Sequence, residues 1–348
     1  MTAVRIGLLG VAHLHVDEYV GNLRVAGAEV VGVTDGDPVR GEQWAQTHGV
    51  RWFPSPEALL AEGVQGVLVC SETAHHRGLV EVAAAAGVAV LCEKPLATTE
   101  EDSTAVVEAC RRAGVPLMTA FPMRFSPVLR QAVEAVGAGG LGRVQACTGT
   151  NQGRLPMAQR SWFVDAALSG GGAIVDHTVH LADVLRWLLG SDPVEVYAVA
   201  NRVLHGQVVT VETGGLVVLT FADGTYASID CSWSRPAQYP TWGGMALDLV
   251  CERGVLAVDA FSQYLTVYGG PAGQLAWPAW GSSPDQGLID EFVEVAAGRR
   301  APSVTGEDGH QATRIALAAL ESARTGQPVR LPGPGSPAER QEGVAAER

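Results

Sequence analysis

The sequence contains a single lysine, Lys94, whereas its other 23 basic residues are arginines. Acidic residues outnumber basic ones, and the formal net charge of −13 argues against nucleic acid or an anionic membrane surface as the main partner. Aromatic residues make up only 6% of the chain, but hydrophobic residues together make up 47%. This composition is typical of a compact globular protein, and 348 residues are enough for two domains.

Several kinds of segment are absent from the sequence. The six cysteines show no C-x-x-C spacing, and most lie in apolar runs where cysteine acts as a small buried hydrophobe. No apolar run reaches the roughly 18 residues that a membrane-spanning helix needs. The first apolar strand begins within a few residues of the N-terminus, which leaves no room for a signal peptide. These features predict a cytoplasmic protein with reduced thiols and no membrane partner.

The first 121 residues alternate short apolar runs with segments typical of helices. Nearly continuous apolar runs, as found in strands buried on both faces, predict strands at 4–9, 30–34, 67–70, 88–92 and 115–119. Between them, Asp37-Pro38 is a typical helix start and Gly49 a typical helix end. The β-α-β repeats predict an α/β fold in which residues 1–121 form a Rossmann-like, doubly wound parallel sheet.

After residue 121 the pattern changes to alternating, β-rich segments. They predict strands at 143–150, 194–202, 216–220, 225–233 and 245–251. Helices are predicted at 174–189 and at about 290–297 and 311–325. These elements predict a second α/β domain over residues 122–330, with a large open, mostly antiparallel sheet. Residues 331–348 are rich in proline and glycine and then in charge, which predicts a disordered tail.

The turn after the first strand carries an incomplete dinucleotide-binding pattern. A pyrophosphate site usually has G-x-G-x-x-G here, so that backbone N–H groups and a helix N-terminus reach the phosphates. Gly10 occupies the first position, whereas Ala12 and His15 replace the second and third glycines. On its own, this loop with Val11 and His13 fits a plain βαβ unit as well as a dinucleotide site.

An acidic residue follows the second predicted strand. Asp35 lies 25 residues after Gly10, where a carboxylate accepts hydrogen bonds from the adenosine ribose hydroxyls and repels a 2′-phosphate. The alternative is that Asp35 and Asp37 only shape the turn and cap the next helix. We favour the ribose role for Asp35, which predicts NAD rather than NADP as the cofactor.

Lys94 follows the fifth predicted strand, at the carboxyl edge of the sheet where doubly wound proteins bind ligands. A lysine ammonium is a compact charge that can lose its proton in a suitable environment, whereas an arginine guanidinium cannot. Because every other basic residue is an arginine, the lysine at this position indicates that an amine is needed here. The alternative is a chance lysine in a surface loop.

Asp176 and His180 lie four residues apart on the predicted helix at 174–189, so their side chains project from one helical face. Three glycines at 170–172 precede the helix and let the backbone approach a ligand closely. An imidazole can accept a hydroxyl proton near neutral pH, and a carboxylate one turn away can orient it. By itself such a pair is more often structural than catalytic, and the presence of Lys94 is what favours catalysis.

Together these motifs resemble the glucose–fructose oxidoreductase/inositol dehydrogenase/MocA (Gfo/Idh/MocA) family of NAD(P)-dependent oxidoreductases. Glu93-Lys94-Pro95 matches the family's Glu-Lys-Pro motif, and GGAIVDHTVH at 171–180 matches its glycine-rich D-x-x-x-H helix. Arg124 begins a segment, R-F-x-P, that resembles the entry to the family's second domain. The stretch GEDG at 306–309 resembles its C-terminal pattern. The resemblance covers nearly the whole chain.

The resemblance implies hydride transfer to or from a secondary hydroxyl or ketone of a sugar, polyol or cyclitol. In this reading His180 takes the hydroxyl proton, Lys94 holds that hydroxyl, and Asp176 binds a neighbouring hydroxyl or orients the imidazole. We predict cofactor contacts for Gly10, Val11, Ala12, His13, Asp35, Ser71, Glu72, His76, Glu93 and Lys94. We predict substrate contacts for Arg124, Trp162 and His177. The family also implies a homodimer or homotetramer formed through the open sheet.

The sequence leaves three other functions open. Six of the nine histidines, at positions 13, 15, 75, 76, 177 and 180, would converge on one crevice and would permit a metal-assisted hydrolase or lyase. None of them has tight ligand spacing, so we predict no metal site. A sensor that binds NAD or a sugar without turnover is compatible with the altered phosphate loop. An NAD-assisted, non-redox glycoside-cleaving enzyme would use the same residues.

Overall fold

The computed structural model describes residues 3–158, 160–268, 275–277 and 280–332. The strands of the first sheet are β1 (Arg5–Leu9), β2 (Glu29–Thr34), β3 (Arg51–Trp52), β4 (Gly66–Val69), β5 (Ala89–Cys92) and β6 (Leu117–Thr119). They lie in the order β3-β2-β1-β4-β5-β6, and all neighbours are parallel. This order is that of a doubly wound dinucleotide-binding sheet, and it confirms the predicted fold class.

Helices connect these strands. They are α1 (Val16–Val25), α2 (Pro38–His48), α3 (Pro56–Leu60), α4 (His76–Ala85) and α5 (Glu100–Ala113). At the start of α2, the Asp37 carboxylate accepts hydrogen bonds from the N–H groups of Val39 and Arg40, and Gly49 ends the helix in the left-handed conformation. Because the strands are parallel and the helices return the chain, the carboxyl ends of β1, β4 and β5 meet at one edge.

The second half of the chain forms a mixed sheet. Its strands are β7 (Val144–Gly153), β8 (Pro193–Asn201), β9 (Gly214–Phe221), β10 (Tyr226–Ser232), β11 (Gly243–Cys251) and β12 (Gly254–Asp259). A short separate pair, β13 (Val267–Tyr268) and β14 (Leu275–Ala276), follows, and β15 (Val329–Arg330) returns to the sheet. The order is β12-β11-β7-β10-β9-β8-β15, with β7 and β10 parallel and the other neighbours antiparallel. This confirms the predicted, mostly antiparallel sheet.

The remaining helices are α6 (Pro127–Gly137), α7 (Ala166–Ser169), α8 (Ala173–Leu189), α9 (Pro284–Ala296) and α10 (Gly306–Thr325). Helix α8 packs on β7, β9 and β10, and α10 packs on α8. Helix α10 also contacts α5 and β6, and α9 contacts α1. Buried Leu288 and Phe292 of α9 share one apolar core with Leu8 of β1. Because two late helices pack on the first sheet, the domain limits at residues 121 and 330 stay a prediction.

Some elements differ from those predicted. Strands β3 and β12 and helix α6 were not predicted, since β3 is only two residues long and α6 follows directly on a 3-10 turn. Helices α9 and α10 begin several residues before the predicted positions. The Ser283 hydroxyl accepts the Gln286 N–H, and Thr305 and Asp308 form a reciprocal capping box. These caps are local sequence signals that fix the true starts.

Three predictions about the chain as a whole have different outcomes. All six cysteines are free and buried, as predicted. Within the described ranges, no helix combines the length and the apolar character that crossing a bilayer requires. The tail predicted at 331–348 lies, from residue 333 onward, outside the described residues, so its disorder stays a prediction.

Candidate active site

A cavity of about 590 Å³ lies between the carboxyl ends of the parallel strands and helix α8. Lys94 lines it from just beyond β5, and Asp176 and His180 line it from the first two turns of α8. His177 lines the same cavity. The structure thus brings the three predicted catalytic side chains together at the sheet edge where doubly wound proteins bind ligands.

The Lys94 ammonium and the Asp176 carboxylate form a buried ion pair, with Nζ 2.8 Å from Oδ1. The other carboxylate oxygen, Oδ2, accepts a hydrogen bond of 3.0 Å from Nε1 of Trp233. Burial disfavours the charged carboxyl, but the Lys94 charge, the neighbouring His177 and these hydrogen bonds hold the pKa of Asp176 well below its ordinary value. Asp176 is therefore a fixed anion that holds the amine of Lys94 at the cavity wall.

His180 lies one turn after Asp176 on α8. Its Nδ1 atom is buried and has no hydrogen-bond partner in the part of the chain that the structure describes. Burial and the charge of Lys94 lower the pKa of His180 well below its ordinary value, so the ring is neutral near pH 7. The Asp176 carboxylate bonds Lys94 and Trp233, so its predicted role in orienting His180 stays a prediction. The neutral imidazole is suited to accept a proton.

His177 is held by Asn151, a residue of β7 that the sequence analysis did not single out. Nδ1 of His177 lies 3.1 Å from Oδ1 of Asn151, and the Asn151 amide donates to the His177 carbonyl oxygen at 3.1 Å. Burial lowers the pKa of His177. Asn151 also lines the cavity, so the pair presents a neutral, polar wall to a substrate. No local motif marks an asparagine inside an alternating strand, which is why it was missed.

The glycines before α8 serve the helix start as well as the cavity. The Glu212 carboxylate accepts hydrogen bonds from the N–H groups of Gly172 (2.7 Å) and Ile174 (3.1 Å), and so caps α8. A Cβ on Gly172 would lie 2.0 Å from the Glu212 carbonyl oxygen, so only glycine fits there. Glu212 and Trp233 come from the loops that begin and end the β9–β10 hairpin, far from α8 in the sequence. They fix the position and orientation of the helix that carries Asp176.

Gly10 forms a backbone cradle after β1. Its φ is +90°, and a Cβ at this position would lie 2.7 Å from the backbone of Ser71, which follows β4. The N–H of His13 donates to the Cys70 carbonyl oxygen at 2.9 Å, so the loop is held against the end of β4. A turn that brings bare backbone to the sheet edge in this way is what a dinucleotide pyrophosphate requires. The loop residues predicted to contact the cofactor therefore fit a dinucleotide pyrophosphate.

Trp162 packs on this loop. Its Nε1 donates to the Ala12 carbonyl oxygen at 3.0 Å, and its ring packs with Phe163 over Ala12. Phe163 lines the main cavity, but Trp162 does not. The indole of Trp162 contacts the loop on which Val11 and Ala12 lie, and with Lys94 and Asp176 it lines a second, smaller pocket, so its predicted substrate contact stays a prediction.

Asp35 is bound from two sides. Its carboxylate accepts the N–H groups of Val11 and Asp37, each at 2.7 Å. Arg40 of α2 donates to the same carboxylate from Nη2 at 2.6 Å and from Nε at 3.0 Å, and its Nη1 donates to Glu72 at 2.8 Å. The guanidinium of Arg40, which was not predicted, therefore bridges the two predicted cofactor residues Asp35 and Glu72. It thus occupies the carboxylate of Asp35, which would otherwise accept a hydrogen bond from a ribose hydroxyl.

Glu93 is linked to the altered loop. Its Oε1 lies 3.0 Å from Nδ1 of His15 and 3.3 Å from Nδ1 of His13, and its side chain has no exposed surface. Burial opposes ionisation, but the contacts with His13 and His15 and the charge of Lys94 hold the pKa of Glu93 below its ordinary value. Glu93 thus faces the two histidines rather than an open position beside a nicotinamide ribose.

Two other predicted residues lie away from the cavity. Arg124 donates from Nε and Nη2 to Asp183 at 2.8 and 2.7 Å, and from Nη2 to Asp308 at 3.2 Å. Its Nε and Nη2 donors link Asp183 of α8 to Asp308 of α10, and Arg124 does not line the cavity, so its predicted substrate contact stays a prediction. His76 is fully buried, with Nδ1 3.0 Å from the Pro95 carbonyl oxygen. The predicted cofactor contact of His76 likewise stays a prediction, and its ring braces the loop behind Lys94.

Comparisons with known proteins identify a family. The family model described as "Oxidoreductase family, NAD-binding Rossmann fold" matches residues 4–121, and the GFO/IDH/MocA C-terminal domain matches residues 129–257. A 1,5-anhydro-D-fructose reductase of Ensifer adhaerens is 30% identical over 332 residues, which cover 93% of this chain and 97% of that protein. A D-apiose dehydrogenase of Paraburkholderia graminis is 29% identical over 328 residues, 88% of this chain and 84% of that one.

A solved structure shares the fold. The crystal structure of GenD2 from gentamicin A biosynthesis, in complex with NAD, matches with a TM-score of 0.85. The two are 23% identical, and the match covers 95% of this chain and 97% of that chain. Both sheets and their connection are therefore shared with a protein that was solved with NAD bound.

Proposed function

Because the chain belongs to the GFO/IDH/MocA family of oxidoreductases with an NAD-binding Rossmann fold, we propose that it is an NAD(P)-dependent dehydrogenase of a sugar, polyol or cyclitol. The observation that supports this most directly is the convergence of Lys94, Asp176 and His180 on one cavity. When bound, the nicotinamide supplies the hydride acceptor or donor. The chain's own residues then have to bind the substrate hydroxyl, orient it and move its proton.

His180 is proposed as the general base. Its ring is neutral and lines the cavity, so it can accept the hydroxyl proton as the carbon-bound hydride leaves. Lys94 is proposed to hold the substrate oxygen with its ammonium, which stabilises negative charge on that oxygen. Asp176 is proposed to fix the direction of the Lys94 amine, since its carboxylate lies 2.8 Å from Nζ. The reverse reaction returns the proton from His180 to the carbonyl oxygen.

The walls of the cavity support a polyhydroxylated substrate. Polar groups from His177 and Asn151 lie on one side, and aromatic side chains lie beyond the catalytic residues. These aromatic residues are Trp242, Phe261, Tyr264, Trp277 and Trp280. Ring faces of this kind pack against the C–H face of a sugar, while hydroxyls bond to the polar side. The names of the relatives, a 1,5-anhydro-D-fructose reductase and a D-apiose dehydrogenase, agree with this substrate class.

The cofactor is proposed to bind along the Gly10 cradle, with Asp35 at its adenosine end. Asp35 favours NAD because a carboxylate repels a 2′-phosphate. To reach the ribose hydroxyls, however, the Asp35 carboxylate has to be released from Arg40. The adenosine end therefore rearranges when the cofactor binds, and Arg40 becomes free to contact it.

The outer face of the second sheet is proposed to bind a second copy of the chain. Exposed apolar side chains lie on neighbouring strands of this face, with Val199 opposite Leu216, and exposed Tyr197 lies opposite the half-buried Val218. An exposed apolar patch of this kind on a sheet typically marks an interface. Light scattering during gel filtration tests this, since a dimer or tetramer is expected. The six free, buried cysteines support a reducing, cytoplasmic location.

The test of the proposed function is a turnover assay with separate cofactors. Purified protein is titrated with NAD⁺ and NADP⁺, and each complex is then offered a panel of inositols, aldoses, anhydrosugars and polyols while reduced nicotinamide is followed by its absorbance. Substrate-dependent reduction of NAD⁺ is expected. If the protein binds NAD⁺ and cleaves a glycoside, but no member of the panel reduces the NAD⁺, the protein is the non-redox enzyme. Binding without either reaction would identify a sensor.

A further inference from the structure

Three potential metal ligands meet beside the cavity, apart from the Lys94–Asp176 pair. Nδ1 of His13, Nδ1 of His15 and Oε1 of Glu93 all lie within 4.8 Å of one another. The two histidines belong to the turn after β1, where G-x-G-x-x-G is incomplete, and Glu93 follows β5. The hydride-transfer chemistry proposed above assigns no role to either histidine, so their function needs another explanation.

The spacing of these atoms suits a metal ion. Zn²⁺ binds histidine nitrogen and carboxylate oxygen at about 2.0–2.2 Å, so two ligands of one tetrahedral ion lie roughly 3.4 Å apart. The carboxylate oxygen of Glu93 lies 3.0 Å from the His15 nitrogen and 3.3 Å from the His13 nitrogen. Small side-chain rotations are therefore sufficient to place all three atoms on one ion.

The hydrogen bonding around His13 favours a cation at this position. The backbone N–H of His15 points at Nδ1 of His13 at 3.4 Å, which assigns a lone pair to that nitrogen. The same nitrogen lies 3.3 Å from a Glu93 carboxylate oxygen, so two lone pairs face each other in a buried space. The amine of Lys94 bonds Asp176 instead of Glu93. A divalent ion between the two atoms would remove this repulsion and neutralise the carboxylate.

The three ligands leave room for a ligand from the cavity. His13 and Glu93 are buried, but a quarter of the His15 side chain is exposed, and both His13 and His15 line the cavity. An ion held by three protein atoms keeps at least one position for water or a bound anion. That position faces the cavity at the loop where a dinucleotide pyrophosphate is expected.

We propose that His13, His15 and Glu93 bind one divalent transition-metal ion of the zinc or cobalt class. Two imidazoles and one carboxylate are a ligand set that suits such ions and disfavours Mg²⁺ and Ca²⁺, which prefer oxygen. The bound ion would place positive charge beside a loop that has lost two of its three glycines. The proposal rests on these three side chains and stands whether or not the protein is a dehydrogenase.

Titration of the metal-free protein with Co²⁺ tests the proposal, because Co²⁺ bound to nitrogen and oxygen ligands gives visible absorption bands that the free ion lacks. The full-length protein is treated with a chelator, dialysed and titrated, and the bound metal is counted by elemental analysis. One Co²⁺ per chain with new bands is expected, and Zn²⁺ should displace it. Because protons compete for the same nitrogens, binding should weaken as the pH is lowered.

Variants locate the ion. His15→Asn and Glu93→Gln are each expected to weaken Co²⁺ binding by at least the ~10–100-fold that follows loss of a supporting partner at metal sites. His48→Asn is the matched control, since the half-buried His48 also lies near a carboxylate, with Nε2 3.3 Å from Asp17, but on α2 and not at the cavity. It should bind Co²⁺ as the unaltered protein does. Thermal unfolding of each variant shows that the fold is kept.

Two results would overturn the proposal. Absence of stoichiometric Co²⁺ and Zn²⁺ binding by the folded, unaltered protein at neutral pH would show that the three side chains share only a proton. Binding that is unchanged in both His15→Asn and Glu93→Gln would place the ion elsewhere. Neither result bears on turnover of NAD⁺, so the proposed function and this site fail or succeed separately.

Discussion

Nζ of Lys94 lies 2.8 Å from Oδ1 of Asp176, and the two side chains keep only 5% and 11% of their surface exposed. In a chain of 23 arginines, this contact explains why one position keeps a lysine. A guanidinium is larger, planar and never neutral, whereas the space beside Asp176 holds a compact ammonium. The single lysine is thus tied to the Asp176 carboxylate, which lies against it at the cavity wall.

The pair should be strongly coupled in stability. Asp176→Asn leaves a buried ammonium and Lys94→Met leaves a buried carboxylate, and breaking a buried pair costs about 3–5 kcal/mol. The double variant removes both charges, so its loss should be smaller than the sum of the single losses. Urea unfolding of the four proteins at pH 7 gives the coupling free energy. If the loss in the double variant equals the sum of the two single losses within about 0.5 kcal/mol, the two side chains have no coupling free energy.

The pH dependence of His180 follows from its surroundings. Burial and the charge of Lys94 lower its pKa, so the imidazole should stay neutral until the pH is well below its ordinary pKa of about 6.5. Protonation of His180 removes the general base, so kcat/KM should fall only at pH values below this lowered pKa. In Lys94→Met the positive charge is gone, and the pKa of His180 should rise.

Titration of the histidine ring protons by NMR checks this directly, with His180→Asn used for the assignment. A His180 resonance that titrates near pH 6.5 in the unaltered protein would contradict the expected shift. So would a midpoint that does not move upward in Lys94→Met.

Gly10 should be intolerant of any side chain. Its φ is +90°, and an added Cβ would lie 2.7 Å from the Ser71 backbone. Gly27 has a similar φ of +75° but open space around it, so Gly27→Ala isolates the cost of the left-handed conformation, about 1–2 kcal/mol. Gly10→Ala should lose a further ~1–3 kcal/mol from the clash. Chemical unfolding measures both, and equal losses would show that the contact with Ser71 relaxes freely.

Arg40 should influence the choice of cofactor. Its guanidinium bridges Asp35 and Glu72, and it is the group that a 2′-phosphate would meet. Arg40→Ala should therefore weaken NADP⁺ binding by about 10-fold or more, the value of a charged hydrogen bond. Binding of NAD⁺ should change less, because Asp35 remains.

Calorimetric titration with both cofactors measures the ratio of the NAD⁺ and NADP⁺ affinities. Arg24→Ala serves as the control, since Arg24 donates to the His48 carbonyl oxygen at the protein surface. An equal loss of NAD⁺ and NADP⁺ affinity in Arg40→Ala would assign the arginine a purely structural role.

The sequence predicts the architecture well because its signals are local. Apolar runs buried on both faces mark the parallel strands, and Asp37 and Gly49 mark the ends of α2. The short strand β3 has no such signal, and the starts of α9 and α10 depend on the hydroxyl caps Ser283 and Thr305 rather than on apolar periodicity. The limits of α9 and α10 were therefore misplaced because their starts were predicted from apolar periodicity and not from these caps.

The site is predicted only in part, because its supporting contacts come from distant parts of the chain. Motifs identify Lys94, Asp176 and His180, but no motif marks Trp233 or Asn151, which hold the carboxylate and His177. Arg124 and His76 were predicted from their places in a pattern, and Trp162 only as an aromatic residue that could line the substrate side. Their contacts lie 59, 19 and 150 residues away in the chain and could not be read from the local sequence.

The most direct test of the catalytic role of the buried amine is the turnover of Lys94→Arg beside the unaltered protein. Both are assayed with NAD⁺ and the best substrate of the panel, and thermal unfolding confirms that the variant is folded. The variant should keep the positive charge yet lose about 10²–10⁴-fold in kcat, the contribution typical of a positioned proton-transfer system. A folded Lys94→Arg protein that turns over at the unaltered rate would contradict the account.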